Sequence, residues 1–271
     1  MTIRGMDFKK KKRVVIKIGS SSLTHPATGN INYIKMERLV RELCNLRNQG
    51  IDVCLVSSGA IGMGAGKLQI ARPADMPTKQ AAASVGQCEL MYTYDRLFNA
   101  YNHTVGQILL TREDFNNPGR LLNLENTLYR LLALGVIPIV NENDSLATEE
   151  ISVGDNDTMG ALVAKYMQAD LLVLLSDIDG LYTADPHTHP DATLIREVPA
   201  ITPEIEALAG GAGSALGTGG MATKLLAAKL ATAGGVDMVI ANGADALVLY
   251  DIVAGKPVGT RFCARRRETR R

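Results

Sequence analysis

Residues 170–177 read Asp170-Leu171-Leu172-Val173-Leu174-Leu175-Ser176-Asp177, five aliphatic residues closed at both ends by polar ones. A half-exposed strand alternates, and a globular helix runs longer. A short unbroken apolar run marks a strand buried on both faces, and such strands belong to parallel sheets covered by helices. Upstream, residues 158–169 predict a helix, preceded by a strand at 136–140 in which Pro138 argues against a regular central position. Further back, Leu121, Leu124, Leu128 and Leu131 share a helical face, and residues 105–110 predict a strand. A long helix over about 78–101 presents Ala82, Val85, Leu90, Tyr94, Leu97 and Phe98. Gly86 inside it costs about 1 kcal/mol against alanine and signals close packing. Earlier still come a glycine-rich turn at 57–66 and a strand at 53–56. Met36, Leu39, Val40, Leu43 and Leu46 form a helical face that Gly50 ends, and 13–18 predicts the first strand. Downstream lie a polar hairpin excursion at 182–195, a loop at 209–220, a helix with Leu225, Leu226 and Leu230 inward, and a strand at 237–241. There is no internal repeat and no linker. Strand–helix alternation of this kind gives an α/β fold with a mainly parallel open sheet covered on both faces.

The composition agrees. The 271 residues are 46% hydrophobic and 21% charged, which excludes a disordered or fibrous chain. Trp is absent and aromatics are 4% against 26 glycines, which fits a carbohydrate-binding β-sandwich badly. The net charge of +1 conceals two basic ends. Residues 1–13 and 261–271 each carry six basic groups and one acid, so 14–260, with 17 basic and 26 acidic groups, stands at −9. No aromatic residue interleaves with 9–13 or 265–271, so these ends read as solvated tails rather than a nucleic-acid surface. An anionic ligand must then be met by a few placed cations. No apolar run approaches the ~20 residues of a membrane helix, and the basic start leads into too short an apolar stretch for a secretory signal. Cys44, Cys54, Cys88 and Cys263 lack CxxC spacing and read as reduced core thiols of a cytosolic protein, with no zinc site.

In such sheets ligands bind at the carboxyl ends of the strands. Lys17-Ile18-Gly19-Ser20-Ser21-Ser22 places a lysine inside an apolar strand beside backbone N–H groups and hydroxyls. Either the ammonium reaches water at the strand's edge, or it meets an anion, and the neighbours suit phosphate. Residues 57–66 match neither the dinucleotide fingerprint nor the Walker motif, which leaves a glycine-rich turn where backbone approaches a ligand, or a plain loop. Residues 141–157 gather Asn141, Glu142, Asn143, Asp144, Glu149, Glu150, Asp155, Asn156 and Asp157 without an EF-hand pattern. They form a capped polar loop or a site that holds an ammonium group and orients lysines. Glycines at 217–220 run into a helix start, where free N–H groups and the positive dipole end favour an anion. Lys224 in that first turn makes better sense if an anion arrives. Ser176 and Asp177 close the most buried strand. His25, His103, His187 and His189 fall outside these loops, and no Ser–His or Cys–His pairing points to acyl-enzyme chemistry.

In order, the runs VSSGAI (56–61), NEND (141–144), VGDND (153–157), GLYTADP (180–186) and GTGGMATK (217–224), with 17–22, resemble the amino acid kinase family. The resemblance spans about residues 13–262 and implies an αβα sandwich between basic tails at 1–12 and 263–271. It places the amino acid in the N-terminal half and ATP in the C-terminal half. The implied reaction moves a phosphoryl group from MgATP to the side-chain carboxylate of L-glutamate, opening proline synthesis in the cytoplasm. Lys17 and Lys224 would flank the transferring group, with Asp157 orienting both. Ser58, Gly59, Asp144 and Asn156 match the family's substrate contacts. Lys17, Ser176, Asp177, Thr218, Gly219, Gly220, Met221, Ala222, Thr223 and Lys224 match its ATP contacts. Mg2+ is expected on the phosphates without a protein metal cage. The resemblance further implies a homo-oligomer, proline as feedback inhibitor and a functional link to glutamate-5-semialdehyde dehydrogenase, with no nucleic acid or membrane partner. Many relatives append a C-terminal PUA domain, whereas this chain ends about ten residues beyond the kinase core, so that domain's functions do not carry over.

The chemistry fits independently. A carboxylate acceptor, with a pKa of roughly 4.3, is ionised at neutral pH and needs no general base. Positioning and cations supply most of the catalysis in phosphoryl transfer. A sister kinase acting on acetylglutamate, aspartate or a nucleoside monophosphate is the nearest rival, but the acid and amide groups at 141–157 suit an unblocked amine. A regulator without activity would be expected to lack Lys17, Asp157 or Lys224, and all are present. An RNA-binding protein using the basic ends would show steep salt dependence.

Overall fold

The computed structural model describes residues 12–25, 30–71, 73–146, 156–186, 188–209 and 220–264. Its centre is the predicted strand, β5 (Leu171–Ser176), paired in parallel with β1 (Arg13–Ile18) and with β7 (Asp237–Asn242). β1 pairs onward with β2 (Asp52–Ser57), β2 with β4 (Ile137–Glu142), and β4 with β3 (Val105–Leu110), all parallel. Beyond β7, β8 (Thr260–Phe262) runs antiparallel and β6 (Glu197–Val198) pairs with it at the edge. The order across the eight-stranded sheet is β3-β4-β2-β1-β5-β7-β8-β6.

Period-two alternation divides the strands between two cores. Val15, Val56, Val140, Leu172, Leu174, Met238 and Ile240 face one side. There they meet α6 (Pro118–Ala133), α7 (Asn156–Tyr166) and α9 (Met221–Ala233). Val14, Ile16, Leu55, Ile139, Val173, Leu175 and Ala241 face the other. That side is covered by α2 (Tyr33–Asn48), α4 (Met76–Asn99) and α10 (Val248–Val253). The continuous aliphatic run of β5 therefore serves both layers, which is why it does not alternate. Each such side chain contributes about 1.5–3 kcal/mol on burial.

The caps are written into the sequence. Asn32 accepts from the backbone N–H of Lys35 at 3.1 Å and starts α2, which ends before Gly50 at φ +84°. Asp75 accepts from the N–H of Thr78 at 2.9 Å and starts α4. Asn117 caps α6 ahead of Pro118.

Several expectations are corrected. The stretch at 57–66 is a turn only as far as Gly59. Ala60–Leu68 is a helix, α3, because Gly64 serves close packing rather than bending. A Cβ on Gly64 would stand 1.8 Å from the carbonyl oxygen of Ala82, and one on Gly86 1.8 Å from that of Ala60, so α3 and α4 touch backbone to backbone. Leu226 faces solvent at 50% exposure, while Lys224 takes an inward position. Cys44 and Cys54 are buried, but Cys88 is exposed and Cys263 partly so. Strand β4 carries its pairing through Asn141 and Glu142. Pro138 sits second from the sheet edge, where registered pairing with β2 starts only at Ile139. The excursion at 182–195 closes through an antiparallel bridge between Tyr182 and Leu194. Short helices α1 (Ser20–Leu23), α5 (Arg112–Asn116) and α8 (Pro203–Ala207) complete the chain.

Candidate active site

Lys17 shares its face of β1 with Val15, so its side chain enters the α7–α9 layer instead of leaving the sheet. Gly160 of α7 lies against its stem: a Cβ there would be in ordinary contact with Lys17 Cβ at 3.5 Å. The Lys17 ammonium meets Asp157 Oδ1 at 2.5 Å, and Lys224 Nζ donates to Asp157 Oδ2 at 3.1 Å. Lys17, Lys224 and Asp157 are only 6%, 4% and 1% exposed. Burying three charges costs several kcal/mol per ion before their attraction is counted. Such an arrangement at the carboxyl ends of β1 and β5 marks a site by its chemistry. Gly19 keeps the space beside the first ammonium clear, since a Cβ on it would stand 3.8 Å from Lys17 Nζ.

The second group lies at the ends of β2 and β4. Asn156 Nδ2 reaches Ser58 Oγ at 2.6 Å, Asn141 Oδ1 at 3.0 Å and the Ser57 carbonyl at 3.2 Å. Gly59, at φ +111°, takes the left-handed conformation that turns β2 into α3. Asp144 follows β4 and lines a small pocket with Ala60, Ala83, Gln87, Glu142 and Asn143. Burial, and secondarily the Glu142 carboxylate, push the Asp144 carboxyl up from 3.8 to about 6. A group so poised favours a cation as neighbour.

The third group surrounds the end of β5 and the start of α9. Ser176 is buried and donates to Asp177 Oδ1 at 3.0 Å, while Asp177 is exposed. Gly220 caps α9, and Met221, Ala222 and Thr223 form its first turn, with Thr223 Oγ1 bonded to the Gly220 carbonyl. Thr218 and Gly219, like Asp155 and the tail residues 1–11 and 265–271, lie outside the described residues. The structure thus joins Lys17, Asp157 and Lys224 directly, and Ser58 with Asn156. Asn156 precedes Asp157 on α7 and so links the two groups.

A family model described as the amino acid kinase family matches residues 12–242. The chain belongs to that family. Among curated relatives, the glutamate 5-kinase of Clostridium acetobutylicum is 53% identical over 263 residues, covering 97% of this chain and 98% of its own. The glutamate 5-kinase of Carboxydothermus hydrogenoformans is 53% identical over 262 residues, covering 96% of this chain and 70% of its own. Among solved structures, isopentenyl phosphate kinase from T. acidophilum superposes with a TM-score of 0.63 at 17% identity, over 93% of this chain and 100% of its own. UMP kinase from Bacillus anthracis gives 0.61 at 17% identity, over 94% and 97%. At that identity these two show the fold of the amino acid kinases and nothing more.

Two residues of this family member received no role from the sequence. Asn141 accepts from Asn156 Nδ2 of α7 and donates to Gln87 Oε1 of α4. Asn141 belonged to a singled-out loop but received no role, because only the fold shows it in strand β4 between Gln87 and Asn156. Gln87 carried no local signal at all.

Proposed function

We propose that this chain transfers the terminal phosphoryl group of ATP to the side-chain carboxylate of L-glutamate, giving L-glutamyl 5-phosphate, the first step of proline synthesis. The observation that carries it is the pair of buried lysines held on the two oxygens of Asp157. They come from opposite ends of the chain and meet in one layer. Relatives named glutamate 5-kinase, matched over nearly the whole chain, support the same reading.

The residues fit nucleoside triphosphate. Gly19 leaves open space over an ammonium, and α9 is long enough to present a full helix N-terminus, which favours phosphate. Mg2+ would ride on the phosphates and offset their charge; among the described residues no cluster of three or more metal-ligating side chains forms a dedicated cage. Ser176, Asp177 and residues 218–224 would hold the nucleotide in the C-terminal half. Ser58, Gly59, Asp144 and Asn156 would hold glutamate in the N-terminal half, with Asp144 on the α-ammonium. A side-chain carboxylate oxygen attacks the γ-phosphorus, the bond to the β-phosphate oxygen breaks, and ADP leaves. The nucleophile is already ionised, so no proton moves. Lys17 and Lys224 offset charge on the equatorial oxygens as it spreads, and Asp157 fixes both ammonium groups in place beforehand. Proline inhibition, a homo-oligomer, coupling to glutamate-5-semialdehyde dehydrogenase and a cytoplasmic location belong to the same proposal. No helix among the described residues is long and apolar enough to cross a membrane.

The test is chemical. With ATP, Mg2+ and L-glutamate, the chain is expected to form an acyl phosphate that hydroxylamine traps as a hydroxamate. Faster reaction with aspartate or acetylglutamate would overturn the acceptor.

A further inference from the structure

Gln87 of α4 borders the pocket that also contains Asp144 and Glu142. The orientation of its amide follows from a hydrogen-bond chain with one fixed end. The backbone N–H of Glu142 can only donate, and it donates to Asn141 Oδ1 at 2.9 Å. Asn141 Nδ2 is thereby turned toward Gln87 and donates to Oε1 at 2.8 Å. With Oε1 accepting, Nε2 is the group left over. It is buried and has no hydrogen-bond partner among the described residues. At the other end of the chain, Asn156 gives its Nδ2 to Asn141 Oδ1, which leaves Asn156 Oδ1 buried without a partner among the same residues. Native proteins rarely leave such groups unsatisfied without reason. A donor at one end and an acceptor at the other complement a zwitterion.

We infer that Gln87 Nε2 donates to the α-carboxylate of the amino-acid substrate. The inference rests on the reading above in which Asp144 takes the α-ammonium. The α-carboxylate hangs on the same carbon, so it must lie beside Asp144, in the pocket that Gln87 lines. The side-chain carboxylate extends the other way, past Asn156 toward Asp157 and the lysines. Glu142 and Asp144 repel an α-carboxylate, and an amide donor on the pocket wall answers that repulsion. Gln87 reaches β4 from α4, which packs backbone to backbone on α3 at Gly64 and Gly86. Gln87 is thus a substrate-binding residue that selects α-amino acids over simple dicarboxylates or amines.

Two variants of the full chain separate this role from a structural one. Gln87→Glu keeps an oxygen to accept from Asn141 Nδ2 but replaces the donor with negative charge; Gln87→Met removes both. In the hydroxamate assay the KM for glutamate is expected to rise about 10- to 100-fold in Gln87→Met, the worth of one hydrogen bond to a charged group. It should rise further in Gln87→Glu, with the KM for ATP close to wild type in both; the melting temperature falls in both, since Gln87→Met leaves Asn141 Nδ2 without its acceptor and Gln87→Glu sets a third carboxylate beside Glu142 and Asp144. A folded Gln87→Glu with wild-type glutamate KM would overturn the inference, because a purely structural acceptor for Asn141 predicts that outcome. So would a KM for ATP that rises in step with that for glutamate. Should Gln87→Glu fail to fold, the split between glutamate and ATP in Gln87→Met decides. Failure of the underlying glutamate reading shows separately, as absence of hydroxamate from the wild-type chain.

Discussion

Asp157 holds an ammonium on each oxygen, which is the role the proposed reaction asks of a single residue. Lys224→Met is expected to lower kcat by about 10²–10³, the usual loss for one electrostatic stabiliser. Circular dichroism should stay native, since Asp157 retains Lys17; an unchanged kcat would make Lys224 a structural cation only. Asp144 carries a pH signature whose sign follows from its raised pKa of about 6. The fold favours its neutral form, so its contribution to stability is complete below its ordinary 3.8 and is lost as pH rises through 6. The cost at neutral pH is roughly 3 kcal/mol. Asp144→Asn should therefore melt higher than wild type at pH 7.5 and equal to it near pH 4, while its glutamate KM rises. A melting difference independent of pH would contradict the assignment. Lys17, Lys224 and Asp144 were legible as residues because a charge in an apolar strand, a cation at a helix start and an acid cluster each break a local rule. Gln87 breaks none, so no local pattern marks it.

Among the elements, α3 and α4 touch backbone to backbone beside the pocket proposed for glutamate, which Ala60 of α3 and Gln87 of α4 both line. Gly86→Ala drives a methyl group onto the Ala60 carbonyl, and backbone cannot yield as a side chain can. The melting temperature is expected to fall by an amount equal to at least the ~1–3 kcal/mol of ordinary overpacking. The glutamate KM should rise with it, because α4 carries Gln87, while the KM for ATP holds. Calorimetry and the trapping assay together check this; a stable variant with native KM would mean that the helices separate freely. Gly86 announced the contact as a costly glycine inside a helix. Its partner Gly64 was hidden in a run that reads as a loop, since helix α3 is stabilised by this packing and not by its own propensities.

In the whole molecule, one sheet crosses from the half assigned to glutamate to the half assigned to ATP. The seam is β1–β5, with five registered pairs from Val14–Leu171 to Ile18–Leu175. The chain is expected to unfold in a single calorimetric transition that either ATP or glutamate moves upward by mass action. Two resolved transitions, one shifted by each ligand, would refute this coupling. The class of fold and the loops proposed to carry chemistry were set by the chain itself, because buried strands, glycine turns and misplaced charges are local choices that leave local marks. The strand order and the entry of Lys17 into the α7–α9 layer came only with folding. So did the meeting of residues 17, 157 and 224 and the orientation of the Gln87 amide, because each depends on which distant surfaces bury one another.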